Sequence, residues 1–95
     1  MSQQKLFYVI AYDITDNKRR TKTHNLLSGY VTWTQYSLFE GELTEKQQIA
    51  LEAKVRKIIN EAQDSVRFYP LCAADMKKVI TLGSKPPQKE GEYII

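Results

Sequence analysis

KLFYVIAYDITDNKRRTK, residues 5–22, is the stretch from which the fold of this chain can be read. Its first half, from Leu6 to Tyr12, is an unbroken apolar and aromatic run rich in β-branched types. Such a run is too short to span a bilayer and predicts a strand buried on both faces. Asp13 ends it. A carboxylate at the end of a buried strand is costly unless something pairs with it. Asp16 and Asn17 follow, and then Lys18, Arg19, Arg20 and Lys22. One segment therefore supplies a metal-ligand candidate and a set of phosphate-clamp candidates.

Working outward, the basic residues open a helix with Asp16 or Asn17 as its N-cap. Thr23, Leu26, Leu27 and Tyr30 recur at the spacing of one buried face, and Gly29 is placed for a left-handed cap. Val31 to Leu43 is extended and β-rich. Its alternation slips at Tyr36-Ser37, which a bulge or a bend between two strands explains. Thr44-Glu45-Lys46-Gln47 is a capping box opening a second helix, with Leu51, Val55, Ile58, Ile59 and Ala62 as its core stripe and an end at Gln63-Asp64. Glu52 with Arg56, and Lys57 with Glu61, are spaced to pair on its exposed face. Ser65 to Cys72 reads as a strand that Pro70 places at an edge or an end. A connection with a helical turn follows, and Val79 to Leu82 reads as a short last strand stopped by Gly83.

This order predicts an α+β fold, a ferredoxin-like βαββαβ sandwich with an extra C-terminal strand. Two helices cover one sheet face. The other face is open in a single chain, and a homodimer packed through the sheet faces would cover it. Residues 1–83 form the domain. Residues 84–95 form a tail whose Pro86, Pro87 and Gly91 oppose packing, although its apolar end, Tyr93-Ile94-Ile95, fits docking on a partner chain as well as it fits a frayed terminus.

With 95 residues, one domain with a modest core is expected, and dimerisation would enlarge the buried surface. A net charge of +3 permits a nucleic-acid partner without demanding one. The polar start is not a signal peptide, and no run is long enough for a membrane. Cys72 is the one cysteine, which excludes an internal disulfide and fits a reducing cytoplasm; its apolar neighbours predict a buried thiol.

Among chemistries, Mg²⁺-assisted phosphodiester cleavage needs few protein ligands, and those must be hard oxygens. Asp13, with Asp16 nearby, can serve, and a symmetric dimer can bring two copies of Asp13 to one ion. The competing reading has Asp13 capping a turn and pairing with Arg19 or Arg20. Lys18, Arg19, Arg20 and Lys22 can hold a nucleic-acid backbone without reading bases, or form a solvated basic face. His24, the lone histidine, fits packing better than catalysis.

Three motifs, YDITDNKRR (Tyr12–Arg20), QYSLFE (Gln35–Glu40) and DSVRFYPLC (Asp64–Cys72), stand in the order and spacing that resemble the family of small CRISPR-associated adaptation nucleases. The resemblance spans roughly residues 5–83. It implies a ferredoxin-like homodimer that cleaves RNA or double-stranded DNA with Mg²⁺, or Mn²⁺, in spacer acquisition and antiviral defence. It also implies a partner, the larger CRISPR integrase protein. Asp13 stands at the family's metal-binding position. Tyr12 and Asp16 match neighbours in the same motif, Arg20 a basic position implicated in activity, and Phe39 an aromatic one. The alternative the family allows is a non-catalytic dimeric scaffold that carries DNA for the integrase.

Overall fold

A computed structural model describes residues 4–83 and residue 87. In chain order the elements are β1 (Lys5–Asp13), α1 (Asn17–Ser28), β2 (Thr32–Gln35), β3 (Leu38–Thr44), α2 (Glu45–Ile58), β4 (Ser65–Leu71) and α3 (Ala73–Met76). The four strands form one antiparallel sheet in the order β2-β3-β1-β4, the ferredoxin-like arrangement expected from the sequence. The stretch read first thus lies at the centre, with β3 on one side of β1 and β4 on the other.

Alternation along β1 decides what each residue can do. Tyr8, Ile10 and Tyr12 join Ile14, Leu27, Val31, Phe39, Leu43, Leu51 and Val55 in one core between the sheet and its helices. Burying each such aliphatic or aromatic side chain contributes about 1.5–3 kcal/mol. Val9, Ala11 and Asp13 fall on the other face. There they lie beside Glu40 and Leu38 on β3, and beside Tyr69, Arg67 and Ser65 on β4. This corrects the expectation of a strand buried on both faces. Val9 and Ala11 are half-buried and Asp13 is exposed, because both long helices pack on one side only. Phe7, on the open side, is buried apart from the main core, at the end of the sheet where α3 approaches β1.

The extended region resolves into two strands. The β2–β3 turn carries Tyr36 at φ 47°, and pairing shifts register between Trp33 and Gln35. The Trp33 indole closes the turn by donating to the Tyr36 carbonyl at 2.7 Å. Gly41 sits on β3 because Val31 lies over it. A Cβ there would meet the Val31 side chain at 2.9 Å.

Both helix starts follow the sequence. Asp16 accepts from the Arg19 amide, and Thr44 and Gln47 make a reciprocal capping box. Several boundaries differ. Gly29 ends α1 in right-handed geometry, φ −80°, so no left-handed cap forms there. α2 stops at Ile58 rather than at Gln63-Asp64, since Asp64 accepts the Asn60 amide and stabilises a turn in its place. On α2, Gln48 bonds Glu52, and Arg56 pairs with Glu61 at 3.6 Å. Cys72 is exposed, not buried, because β4 ends at Leu71 on the sheet edge.

The extra strand expected at Val79–Leu82 is not formed in the single chain. α3 turns the chain away from β4 without a hairpin, and the Val79 amide completes a helical turn on Met76. Val79, Ile80 and Leu82 are left exposed. The tail expected to dock, residues 84–95, lies outside the described residues apart from residue 87.

Candidate active site

β1 delivers Tyr12 and Asp13 to opposite faces of the sheet. Asp13 is exposed on the open face, and its carboxylate makes no hydrogen bond or ion pair among the described residues. The pairing with Arg19 or Arg20 that competed with a metal role is therefore absent. Both arginines bond elsewhere.

Arg19 is engaged within the fold. Its Nε donates to Asp64 Oδ2 at 2.7 Å, while Nη2 donates to Asp64 Oδ1 and Gln63 Oε1, each at 3.2 Å. The Asp64 side chain is fully buried. The pair ties the first turn of α1 to the turn before β4, across 45 residues of sequence. This corrects the expectation that Arg19 clamps a nucleic-acid backbone, because a guanidinium so engaged has little left to offer. The arginine holds the Asp64 carboxyl below its ordinary value of 3.8, helped by the Asn60 amide. A depressed folded-state pKa contributes stability that is present above 3.8 and lost as pH falls through the lower folded value. Asp64→Asn should melt lower than the parent by several degrees at neutral pH, and its Tm should fall less steeply below pH 3.8. Thermal melts between about pH 2 and pH 7 check this; parallel acid limbs would show that Asp64 is not the linked group.

Arg20 is held by neutral acceptors. Its Nη1 donates to the carbonyls of Ile14 at 2.9 Å and Thr15 at 3.2 Å, and Nη2 donates to Asn17. Its charge meets no carboxylate in an ion pair among the described residues. Lys18 and Lys22, four residues apart on α1, are exposed and likewise without ion pairs among those residues. Asp16 serves as the N-cap, accepting from the Arg19 amide at 2.9 Å.

Tyr12 is buried on the helix side, and its hydroxyl lies 3.3 Å from His24 Nδ1. Burial pushes the phenol's pKa up, with nearby Arg20 working in the opposite direction. His24 has the packing role expected of it, with its ring edge-on to Phe39 at 5.1 Å and to Trp33 at 6.0 Å. Phe39 has no exposed surface, so its place among the catalytic candidates is corrected: it cannot touch a substrate and acts by packing. Tyr12 and Arg20, with Thr21, His24, Tyr36 and Ser37, line an open cleft of about 440 Å³. Sequence reasoning missed this grouping and the Asp64 strut, since both depend on contacts between distant segments.

Within a single chain, then, the five catalytic candidates do not form one site. Asp13 faces one side, Tyr12 and Arg20 the other, Asp16 caps the helix between them, and Phe39 lies inside. The open sheet face carries an exposed acidic strand end at Asp13, and α1 carries a basic start. Residues 6–79 match the family model described as CRISPR associated protein Cas2. A CRISPR-associated endoribonuclease Cas2 of Synechocystis sp. is 44% identical over 88 residues, which cover 93% of this chain and 96% of the relative. A CRISPR-associated endonuclease Cas2 of Thermus thermophilus is 37% identical, covering 95% of this chain and 98% of the relative. A chain from a partial Cas6-RT-Cas1–Cas2 complex superposes with a TM-score of 0.72 at 29% identity, covering 85% of this chain and 88% of that one. The chain belongs to the Cas2 family.

Proposed function

We propose that this chain acts as a symmetric homodimer that hydrolyses phosphodiester bonds of RNA or double-stranded DNA with a divalent ion held at Asp13. The observation that carries this reading is the Asp13 carboxylate, exposed on the open sheet face with no protein partner among the described residues. Among those residues no single-chain cluster of three or more His, Cys, Asp or Glu side chains is present. A lone carboxylate still fits Mg²⁺ or Mn²⁺, since such ions keep several waters and take only one or two protein carboxylates. A two-fold axis across the open face would add a second copy of Asp13. The ion would supply Lewis-acid stabilisation of the charge developing on the phosphate.

The chain's own residues bind and orient. Lys18 and Lys22 contact phosphates from the exposed face of α1, and Arg20 presents a fixed charge beside them. Asp16 holds the helix start in place. The names of the matched relatives, endoribonuclease and endonuclease, support either nucleic acid as substrate. The Cas1–Cas2 complex supports the larger integrase protein as a partner.

A second reading has its own observation. The catalytic candidates are divided between two faces, which favours a DNA-carrying scaffold for the integrase in which cleavage is vestigial. The two readings separate in one assay. Purified chain is incubated with labelled RNA and duplex DNA, with Mg²⁺ or Mn²⁺ and with EDTA. Divalent-dependent cutting supports the enzyme, and none with either ion supports the scaffold. Duplex binding tests the clamp under either reading. Replacing Lys18 and Lys22 with Gln should reduce the slope of log K against log salt by about 0.9 for each phosphate no longer neutralised, whereas Arg19→Gln should leave the slope unchanged.

A further inference from the structure

The cleft between α1 and the β2–β3 turn is not needed for a metal at Asp13, which lies on the opposite face of the sheet. We propose that this cleft binds a single nucleotide, with the base stacked on Tyr36 and the phosphate on Arg20, flanked by the hydroxyls of Thr21 and Ser37. The inference rests on the reading that the chain handles nucleic acid, but not on cleavage.

Its size falls in the range of ligand pockets, about 300–1,000 Å³. Its lining, Tyr12, Arg20, Thr21, His24, Tyr36 and Ser37, contains one guanidinium, several neutral donors and no carboxylate. Arg20 is fixed by bonds to Ile14, Thr15 and Asn17, all neutral acceptors, so its charge is pre-organised and uncompensated. Arg19, one residue earlier, shows the contrast, because Asp64 neutralises it. The neighbouring Tyr12 phenol stays neutral, since burial raises its pKa, and therefore adds no charge that would repel an anion.

Tyr36 is the second mark of a site. It is 85% exposed and holds φ 47°, a left-handed conformation that favours glycine. An aromatic ring kept at a strained, solvent-facing turn contributes little to folding, and such outliers cluster at ligand clamps. Three bonds keep the turn in place: the Trp33 indole to the Tyr36 carbonyl, the Thr34 hydroxyl to the Leu38 carbonyl at 3.1 Å, and the Tyr12 amide to the Ser37 carbonyl at 3.1 Å. An exposed aromatic beside a fixed cation matches a base and its phosphate, and stacking tolerates any base. The cleft has room for one nucleotide and not for a duplex, so a free nucleotide and the end of a single strand share the chemistry it takes.

Trp33 is the chain's one tryptophan and touches both Tyr36 and His24, so its fluorescence reports on the cleft. The full chain, in EDTA to prevent cleavage, is titrated with UMP, uridine, inorganic phosphate, and a short oligouridylate with and without a 5′-phosphate. Calorimetry runs in parallel. UMP should bind saturably, with uridine and phosphate each roughly tenfold weaker or more. Tighter binding of the 5′-phosphorylated oligomer than of UMP assigns the site to a strand end, and equal binding assigns it to a free nucleotide. Tyr36→Gly should weaken UMP by roughly tenfold or more, the loss of one stack. Its Tm should hold or rise, because glycine relieves the turn, so unfolding cannot explain the loss. Failure of UMP and both oligomers to bind, phosphate binding as tightly as UMP, or a Tyr36→Gly variant that binds UMP like the parent would each overturn the proposal. A failure here leaves divalent-dependent cleavage at Asp13 untouched.

Discussion

Asp13→Ala should remove divalent-dependent cleavage while leaving a folded protein. The carboxylate sits at the end of β1, exposed and unpartnered among the described residues, so replacing it breaks no bond and opens no cavity. Surface changes of that kind alter stability by about 0.5 kcal/mol or less. The effect on rate is of another order. A divalent ion contributes several kcal/mol to phosphate chemistry, and each 1.36 kcal/mol is about tenfold, so a loss of roughly a thousandfold or more is expected. Cleavage assays at matched protein concentration, with melting curves and sedimentation of parent and variant, measure both effects. A folded variant that cuts as fast as its parent would place the activity at another site or in a contaminant.

The second large effect is expected at Phe39. In the fold this ring is fully buried, flanked by Tyr12 at 6.2 Å and His24 at 5.1 Å. Phe39→Ala should cost about 3–5 kcal/mol, the range for deleting a buried aromatic side chain. Against a total of about 5–15 kcal/mol for a small domain, that leaves the variant marginal. Its melting temperature should fall by about 4–8 °C for each kcal/mol of stability removed. Activity lost in Phe39→Ala would therefore reflect unfolding. Phe39→Leu, which refills much of the space, should retain most of both stability and cleavage. If Phe39→Leu stays folded and is inactive, the ring has a role in the chemistry that its burial does not reveal.

The two residues show what kind of information each level holds. Aromatic type and motif position mark Phe39 as a candidate, but whether a side chain meets solvent depends on the layers around it. The strand itself was legible in Leu6 to Tyr12 as an unbroken apolar run. Which members of the run face the helices was not, because an apolar run carries no mark of which side the helices will cover. Tyr12 and Asp13 look like one motif in the chain and stand on opposite faces in the fold. The basic helix start shows the same limit. Lys18, Arg19, Arg20 and Lys22 are alike in sequence, yet Arg19 is neutralised by Asp64, a residue brought near only by the sheet.

Local physics set much of this protein from sequence alone. The helix starts at Asp16 and Thr44 follow from side chains that bond backbone amides three residues on, and the break at Tyr36-Ser37 follows from lost alternation. The order of strands and helices was enough to predict the sheet. Tertiary structure alone decided the rest. It left Val79–Leu82 without a strand to pair with in the single chain, tied Arg19 to Asp64, and gathered Tyr12, Arg20, His24 and Tyr36 around one cleft. It also left Asp13 facing open solvent. Short-range bonds are written in neighbouring residues, whereas burial and long-range pairing depend on which segments the fold brings together. The stretch from Lys5 to Lys22 therefore announces the central strand, and only the packed sheet shows which of its residues remain free to act.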